Sequence, residues 1–499
     1  MSLQPAGSQW LKERLLLPQY TLTHSSYIGN NAAIEVTSKG NIEQVYGVKY
    51  RVDLDEPLHH LEFSLKYDDL NLDFLKAVFE KITPAQVVDF VAATPAGKYA
   101  RQIGFLYEFL IGQQVDLPAT IGGNYVDLLD SDKYITGRIE KNARWRINNN
   151  LLGDAAFCPI VRKTRALKEL LSLDLHDNIR QLKTDYPIEL FARAIQYLYR
   201  KETRSSYEIE KEQPAPDRME KFVALLQQAG TEEPKEMLDS QRLIQLQRAI
   251  VDPRYAASGF RKEQIYVGES FPNFIESIHY IGPPPEMVPS LMEGLVTMAS
   301  KSSGNHAGIR AALISFGFVF IHPFDDGNGR IHRFLIHDVL VQDKMVPHGL
   351  IIPVSAHMLN HIRAYDAVLE KYSKPLMQRV KYDKAPGGEI TVTNQSQIEP
   401  YLRYPDLTDH CIYLIEIIHA TLTDDMPGEL LFIQRYDEAK IELQRIVDMP
   451  DKKLTNMLLF LHQNKGVFPK RRREQFSELT DREIQQMQDA YRMVYEIEI

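Results

Sequence analysis

The run Ala311-Ala-Leu-Ile-Ser-Phe-Gly-Phe-Val-Phe-Ile321 constrains this chain more than any other stretch. It is uncharged, and it falls well short of the roughly 20 apolar residues that a bilayer crossing needs. It therefore reads as a helix buried inside protein, and such a helix needs other helices around it. Helical periodicity supplies them: Glu286 to Ile321 with an interruption near Gly304, Gly329 to Gln342, and Ser355 to Tyr382. Upstream, helices are expected from Thr164 to Lys211, broken by Pro187, and from Asp217 to Ile250.

At 499 residues the chain exceeds one ordinary core and should hold about three domains. Its 44% hydrophobic and 25% charged residues are those of a soluble globular protein. A net charge of −9 gives no global attraction to nucleic acid. The only two cysteines, Cys158 and Cys411, argue against a disulfide framework or a Cys-rich zinc site. Met1 to Tyr20 lacks the apolar core of a signal peptide, so a cytoplasmic location without membrane contact is expected.

The fold class expected is mainly α, with a mixed α/β domain over residues 1–163. Strands are expected between Tyr20 and Leu65, including Leu61-Glu-Phe-Ser-Leu, then helices from Leu72, Thr83 and Lys98. A helical segment over 164–216 leads to a core over 217–382. A linker is expected over 383–405, and a further helical domain over 406–499. Inside the core, Arg261 to Gly268 and Asn273 to Ile281 read as short strands closed by Gly282-Pro-Pro-Pro.

Chemistry concentrates in His322-Pro-Phe-Asp-Asp-Gly-Asn-Gly-Arg-Ile-His-Arg333. His322 emerges where the buried helix stops, and can accept a proton near neutral pH. Gly327, Asn328 and Gly329 open a new helix, where free N–H groups and the helix dipole attract phosphate. Arg330 and Arg333 share a face and can fork onto further phosphate oxygens. Asp326 offers a hard oxygen for Mg²⁺. Together these parts suit transfer of part of a nucleotide to an alcohol.

That order resembles the Fic-family signature HPFxxGNGRxxR, with an acidic residue before the first glycine, and every position matches. The resemblance implies the Fic helical core and transfer of AMP from ATP to a Tyr, Thr or Ser hydroxyl of a protein. It implies His322 as the base that deprotonates the target and Asp326 as the holder of Mg²⁺. Gly327, Asn328 and Gly329 would cradle phosphates, with Phe324 in the same nucleotide-binding set, and Arg330 and Arg333 would bind the outer phosphates. Residues 269–285 look like the family's β-hairpin flap, on which a protein substrate docks as an added strand. Asn360 and Tyr365 resemble positions lining the base pocket.

Lys201 to Lys211 resembles the inhibitory helix of many Fic proteins, pattern [S/T]xxxE[G/N]. Ser206 and Glu210 share a helix face, and Glu210 would pair with Arg333 and block the γ-phosphate. Lys211 departs from the pattern, which has Gly or Asn there. The C-terminal region looks like a winged helix, with a basic run Lys470-Arg-Arg-Arg. Nucleic-acid binding is not favoured, because Glu474, Glu478, Asp481 and Glu483 crowd that run. Homo-oligomerisation stays open. Two other functions remain: removal of AMP with Glu210 orienting a water, and a nucleotide-sensing transcriptional regulator.

Overall fold

The computed structural model describes residues 3–37, 41–52, 55–117, 120–233, 236–271 and 275–497. The elements that frame the site run in the order α1 (Ile188–Ile209), α2 (Pro216–Gln227), α3 (Ser240–Ile250), β1 (Tyr266–Phe271), β2 (Ile275–Ile281), α4 (Val288–Lys301), α5 (Ala307–Ile321), α6 (Asn328–Gln342), α7 (Val354–Asn360) and α8 (Ile362–Met377).

Helix α5 contains the apolar run, and every residue of it except Val319 is buried. It packs along α6, to which the short loop 322–327 joins it, and against α4 and the helix Thr408–Ala420. Burying one Phe or Leu side chain contributes about 1.5–3 kcal/mol, so the fully buried Leu313, Phe316 and Phe318 make α5 a main source of the core's stability. Helix α1 lies over α6 and α7 and beside α2. The α1 contact is fixed by a buried carboxylate. Glu202 pairs with His337 of α6 at 2.7 Å and accepts the Ser355 N–H of α7 at 2.8 Å. A buried charge persists only when paired in this way.

Strands β1 and β2 form an antiparallel hairpin with a bulge at Val267/Gly268. The first strand begins at Tyr266 rather than Arg261, because the Arg261 guanidinium is drawn into the loop below instead of lying along a ladder. The expected start of the second strand, Asn273, lies outside the described residues.

The N-terminal unit pairs a four-stranded sheet (order Gln4–Ala6, His24–Gly29, Ile42–Gly47, Ala33–Val36) with helices at 57–67, 72–79, 84–93 and 98–111. The helix at Pro84 starts as expected, with Thr83 and Gln86 in a reciprocal capping box. Leu61-Glu-Phe-Ser-Leu is helical, not a strand. That helix is wedged between the main core of the N-terminal unit, which takes Leu58 and Leu61, and a small satellite core, which takes Phe63. Apolar residues on two faces imitate the alternation of a strand.

Residues 383–405 are not a linker. A hairpin, Tyr382–Lys384 with Ile390–Val392, is followed by the helix Gln395–Arg403, and Ile390, Val392, Ile398 and Leu402 are buried in the central core. This segment also laces the N-terminal unit to the core. Cys158 N–H donates to Arg403 O, Ile160 N–H to Pro405 O, and Arg162 pairs with both Asp69 and Asp406.

The C-terminal module differs from a winged helix as well. Residues 408–430 contribute to the central core, and a separate small core begins only at Ala439. Among the described residues from 407 onward there is no strand to make a wing. The basic run winds into a 3₁₀ turn, in which Arg473 donates to Phe476 O and Leu479 O and pairs with Asp481. Lys453 is likewise paired with Glu478. No helix among the described residues is long and apolar enough to cross a membrane.

Candidate active site

Helix α5 ends in an unusual way. His322 caps it with φ 52° and ψ 61°, in the left-handed region that non-glycine residues avoid. Such a conformation costs of order 1–3 kcal/mol and persists where the surroundings enforce it. Two bonds enforce it here. The His322 N–H still closes the last helical turn on Phe318 O at 2.9 Å, and the His322 carbonyl accepts Arg261 Nε at 2.7 Å. Arg261 also donates to Pro283 O at 2.6 Å and Glu263 O at 2.8 Å, and its own N–H donates to Pro323 O. One buried guanidinium thus ties the base of the hairpin to the loop 322–327.

The imidazole Nδ1 lies 3.1 Å from Val319 O. A carbonyl only accepts, so Nδ1 carries the proton and Nε2 keeps the lone pair. Burial pushes the His322 pKa down to about 4, against opposing pulls from Val319 O, Glu210 and Asp326. The ring is neutral at pH 7.

The loop that follows is clamped from within. Asn328 Oδ1 accepts the Phe324 N–H at 3.0 Å, and Asn328 Nδ2 donates to Phe324 O at 2.8 Å. Phe324 itself is fully buried against Phe260 and Phe318. Asn328 was expected to help cradle phosphate through backbone amides and Phe324 to belong to the nucleotide-binding set. The side chains of both hold the loop in shape, which leaves the backbone of the helix start free to meet an anion. Gly327 caps α6 at φ 89°, a conformation open to glycine.

Gly329 makes room for a neighbouring side chain. A Cβ there would stand 2.1 Å from Glu210 Oε1. The Glu210 carboxylate therefore rests directly on the first turn of α6, the place where that helix start would receive a phosphate. It accepts Arg333 Nη2 at 2.8 Å. Ser206 completes the grip, with its Oγ taking Arg333 Nε at 2.8 Å and its carbonyl taking Nη2 at 2.7 Å. Arg333 is wholly buried, and Tyr365 lies within hydrogen-bonding reach of its guanidinium. Burial alone would raise the Glu210 carboxyl, but Arg333, then Arg330 and His322, hold it below its ordinary value. It is ionised at neutral pH.

Lys211, the departure from the inhibitory pattern, takes φ 58°, the left-handed position for which glycine or asparagine is suited. Its N–H bonds Glu208 O at 2.9 Å and the Glu212 N–H bonds Tyr207 O at 3.1 Å. These are the two bonds of a Schellman ending to α1.

Glu212, absent from the expected site residues, reaches Arg330 from the turn that ends α1. Arg330 Nη1 donates to Glu212 Oε2 at 3.0 Å and to Ile250 O at 3.1 Å, while Nη2 donates to Asp326 Oδ1 at 2.6 Å. Gln247 was also missed. It donates to the carbonyls of Asp326 and Tyr255 and accepts the Ala257 N–H, which ties α3 to the loop. The one available signal for Glu212 was a second acid two residues after Glu210.

Asp326 Oδ1 is taken by the Gly327 N–H at 2.5 Å and by Arg330, while Oδ2 has no hydrogen-bond partner among the described residues. Among those residues no group of three or more His, Cys, Asp or Glu gathers around one point. A cation here would rest on Asp326 with further ligands from nucleotide and water, which is how Mg²⁺ is commonly held in nucleotide sites. An open cleft of about 680 Å³ runs beside Asp326, between Tyr255, Phe260, Lys262 and Asp325.

The two residues expected at the base pocket stand in different surroundings. Tyr365 is buried next to Arg333 and near His332. Asn360 is exposed at the end of α7.

Residues 237–340 match the Fic/DOC family. Over 234 residues, 46% of this chain, the sequence is 26% identical to the protein adenylyltransferase Fic of Drosophila yakuba, covering 39% of that protein. It is 28% identical over 211 residues, 41% of this chain, to the Drosophila willistoni protein of the same name, covering 34% of it. The matched stretch thus spans under half the length of these curated relatives. A Fic family protein from Desulfovibrio desulfuricans G20 aligns with a TM-score of 0.38 and 15% identity, covering 59% of this chain and 83% of that one. The stretch 237–340, which holds α5, the clamped loop and most of α6, is a Fic domain.

Proposed function

We propose that this protein transfers AMP from ATP to a Tyr, Thr or Ser hydroxyl of a protein, and that Glu210 holds it in a low-activity state. One observation carries the proposal most directly: an ionised carboxylate sits on the α6 N-terminus and on Arg333, where the outer phosphates of a triphosphate would be received. The name protein adenylyltransferase, borne by the curated relatives over the matched region, supports the same reaction.

In this scheme the hydroxyl oxygen attacks the α-phosphorus, the bond to the β-phosphate oxygen breaks, and pyrophosphate leaves. His322 Nε2 takes the hydroxyl proton, its tautomer set by Val319 O. Negative phosphates beside the ring raise its pKa from the low value of the closed site toward neutrality. Arg333, freed from Glu210, binds the outer phosphates with the guanidinium face that Glu210 had occupied. Mg²⁺ fits at Asp326 Oδ2, where it would neutralise phosphate charge. The hairpin β1–β2 offers edges on which an extended target segment pairs.

A second activity has its own support. Glu210 is close enough to His322 for its charge to raise the imidazole, which suits activation of a water for AMP removal. Labelled ATP separates these outcomes. Label at the α-phosphate should enter protein with Glu210→Gly, and label at the γ-phosphate should not. Pre-labelled target should lose AMP to wild type and not to Glu210→Gly if removal also occurs. Transfer of γ-label to protein would refute AMP transfer.

A further inference from the structure

Glu210 accounts for one of two arginines that α6 turns inward, and Arg330 is the other. Its side chain is about 1% exposed, so its charge must be answered inside the protein. Nη1 donates to Glu212 Oε2 and Ile250 O, and Nη2 donates to Asp326 Oδ1 and lies 3.0 Å from Glu212 Oε1. Glu212 thus meets the guanidinium with both oxygens, the fork-on-fork geometry that a phosphate also adopts. The face of Tyr207 lies under the same group at 5.2 Å.

These partners differ in how readily they can leave. Ile250 O ends α3 and Asp326 belongs to the clamped loop. Glu212 comes from the turn after α1 and is 35% exposed. Its carboxyl pKa is raised by burial, with Asp326 and Glu210 adding and Arg330 opposing. The Schellman ending sets Glu210 and Glu212 on either side of Lys211, one facing Arg333 and the other Arg330. Unwinding that turn moves both.

We propose that Glu212 is a second inhibitory carboxylate, holding Arg330 as Glu210 holds Arg333, so that one helix ending fills both arginine seats and empties them together. The inference rests on reading residues 322–333 as a triphosphate site. Arg330 then gains a phosphate where Glu212 was, while Asp326 and Ile250 O keep their bonds. Replacing Glu210 alone leaves half of the barrier standing.

The test uses the full chain as wild type, Glu210→Gly, Glu212→Gln and the double variant. Melting curves confirm folding, ATP affinity is measured by calorimetric titration, and self-labelling gives KM and kcat. The double variant should bind ATP roughly tenfold to a hundredfold more tightly than Glu210→Gly, the size of one competing charge-assisted hydrogen bond. Its KM should fall by the same factor with kcat within about twofold, a split that a merely structural role would not produce. Equal or weaker ATP binding in a folded double variant would overturn the proposal. If Glu212→Gln fails to fold, Glu212→Asp, which retracts the carboxylate, should tighten ATP binding in the same direction, and no tightening there overturns it equally. Should Glu210→Gly label nothing, the titration still decides: tightening by Glu212→Gln supports the second clasp while AMP transfer fails, and its absence defeats the clasp.

Discussion

Lys211 offers a way to close the site more firmly without touching a catalytic group. At φ 58° it holds a left-handed conformation that costs a residue with a Cβ about 1–2 kcal/mol and glycine nothing of that kind. Glycine also adds freedom to the unwound segment, worth about 0.4–1 kcal/mol, so Lys211→Gly should favour the wound turn by about 1 kcal/mol. The substitution removes the Lys211–Glu269 pair at 3.3 Å. Both side chains of that pair are well exposed, so its loss costs only a few tenths of a kcal/mol. The balance, about 0.7 kcal/mol toward the closed turn, is about threefold in population. Self-labelling of Lys211→Gly should therefore run about threefold below wild type at saturating ATP. In a Glu210→Gly, Glu212→Gln background, where closure of the turn blocks neither arginine, Lys211→Gly should change little. Unchanged or increased labelling in the wild-type background would refute the idea that this turn unwinds on release.

Other expectations follow from the same geometry. His322→Ala should lower transfer on the order of 10²-fold or more while ATP affinity by titration stays near that of the parent; near-parental labelling would remove His322 from proton transfer. Asp326→Asn, which still accepts from Gly327 and Arg330, should cut Mg²⁺-dependent transfer on the order of 10²-fold and leave metal-free nucleotide affinity within about threefold; equal losses with and without Mg²⁺ would assign Asp326 to loop shape alone. Burial pushes His332 down to about 3 and His410 and His322 down to about 4. The unfolded chain therefore binds more protons below the ordinary value of 6.5, and stability should fall as pH drops from 6.5 toward 4. Denaturant midpoints measured across that range check this, and a flat profile would contradict it.

The parts of the site that the sequence displayed are local ones. His322 to Arg333 lie on one helix end, one loop and one helix start, so their order is also their geometry. Ser206 and Glu210 could be paired with each other because helical spacing puts them on one face. The partners that hold these residues in place come from far along the chain: Glu212 lies 118 residues from Arg330, Arg261 lies 61 from His322, and Glu202 lies 135 from His337. No periodicity announces such pairs. Asn328 and Phe324 were legible as site residues but not as fasteners, since only coordinates show an amide spending both of its groups on one backbone. Fold errors arose where apolar residues served two cores, as in 57–67, or where polar spacing hid buried Ile390, Val392, Ile398 and Leu402.

Under the proposed function, a carboxylate occupies the seat of a phosphate in an AMP-transfer site. Self-labelling from ATP carrying α-phosphate label tests it most directly, with wild type, Glu210→Gly, Arg333→Ala and the double variant side by side. Glu210→Gly should label well above wild type. Arg333→Ala should label poorly, and the double variant no better than Arg333→Ala, because both residues act through one interaction. Labelling of Glu210→Gly at or below the wild-type level would contradict the account.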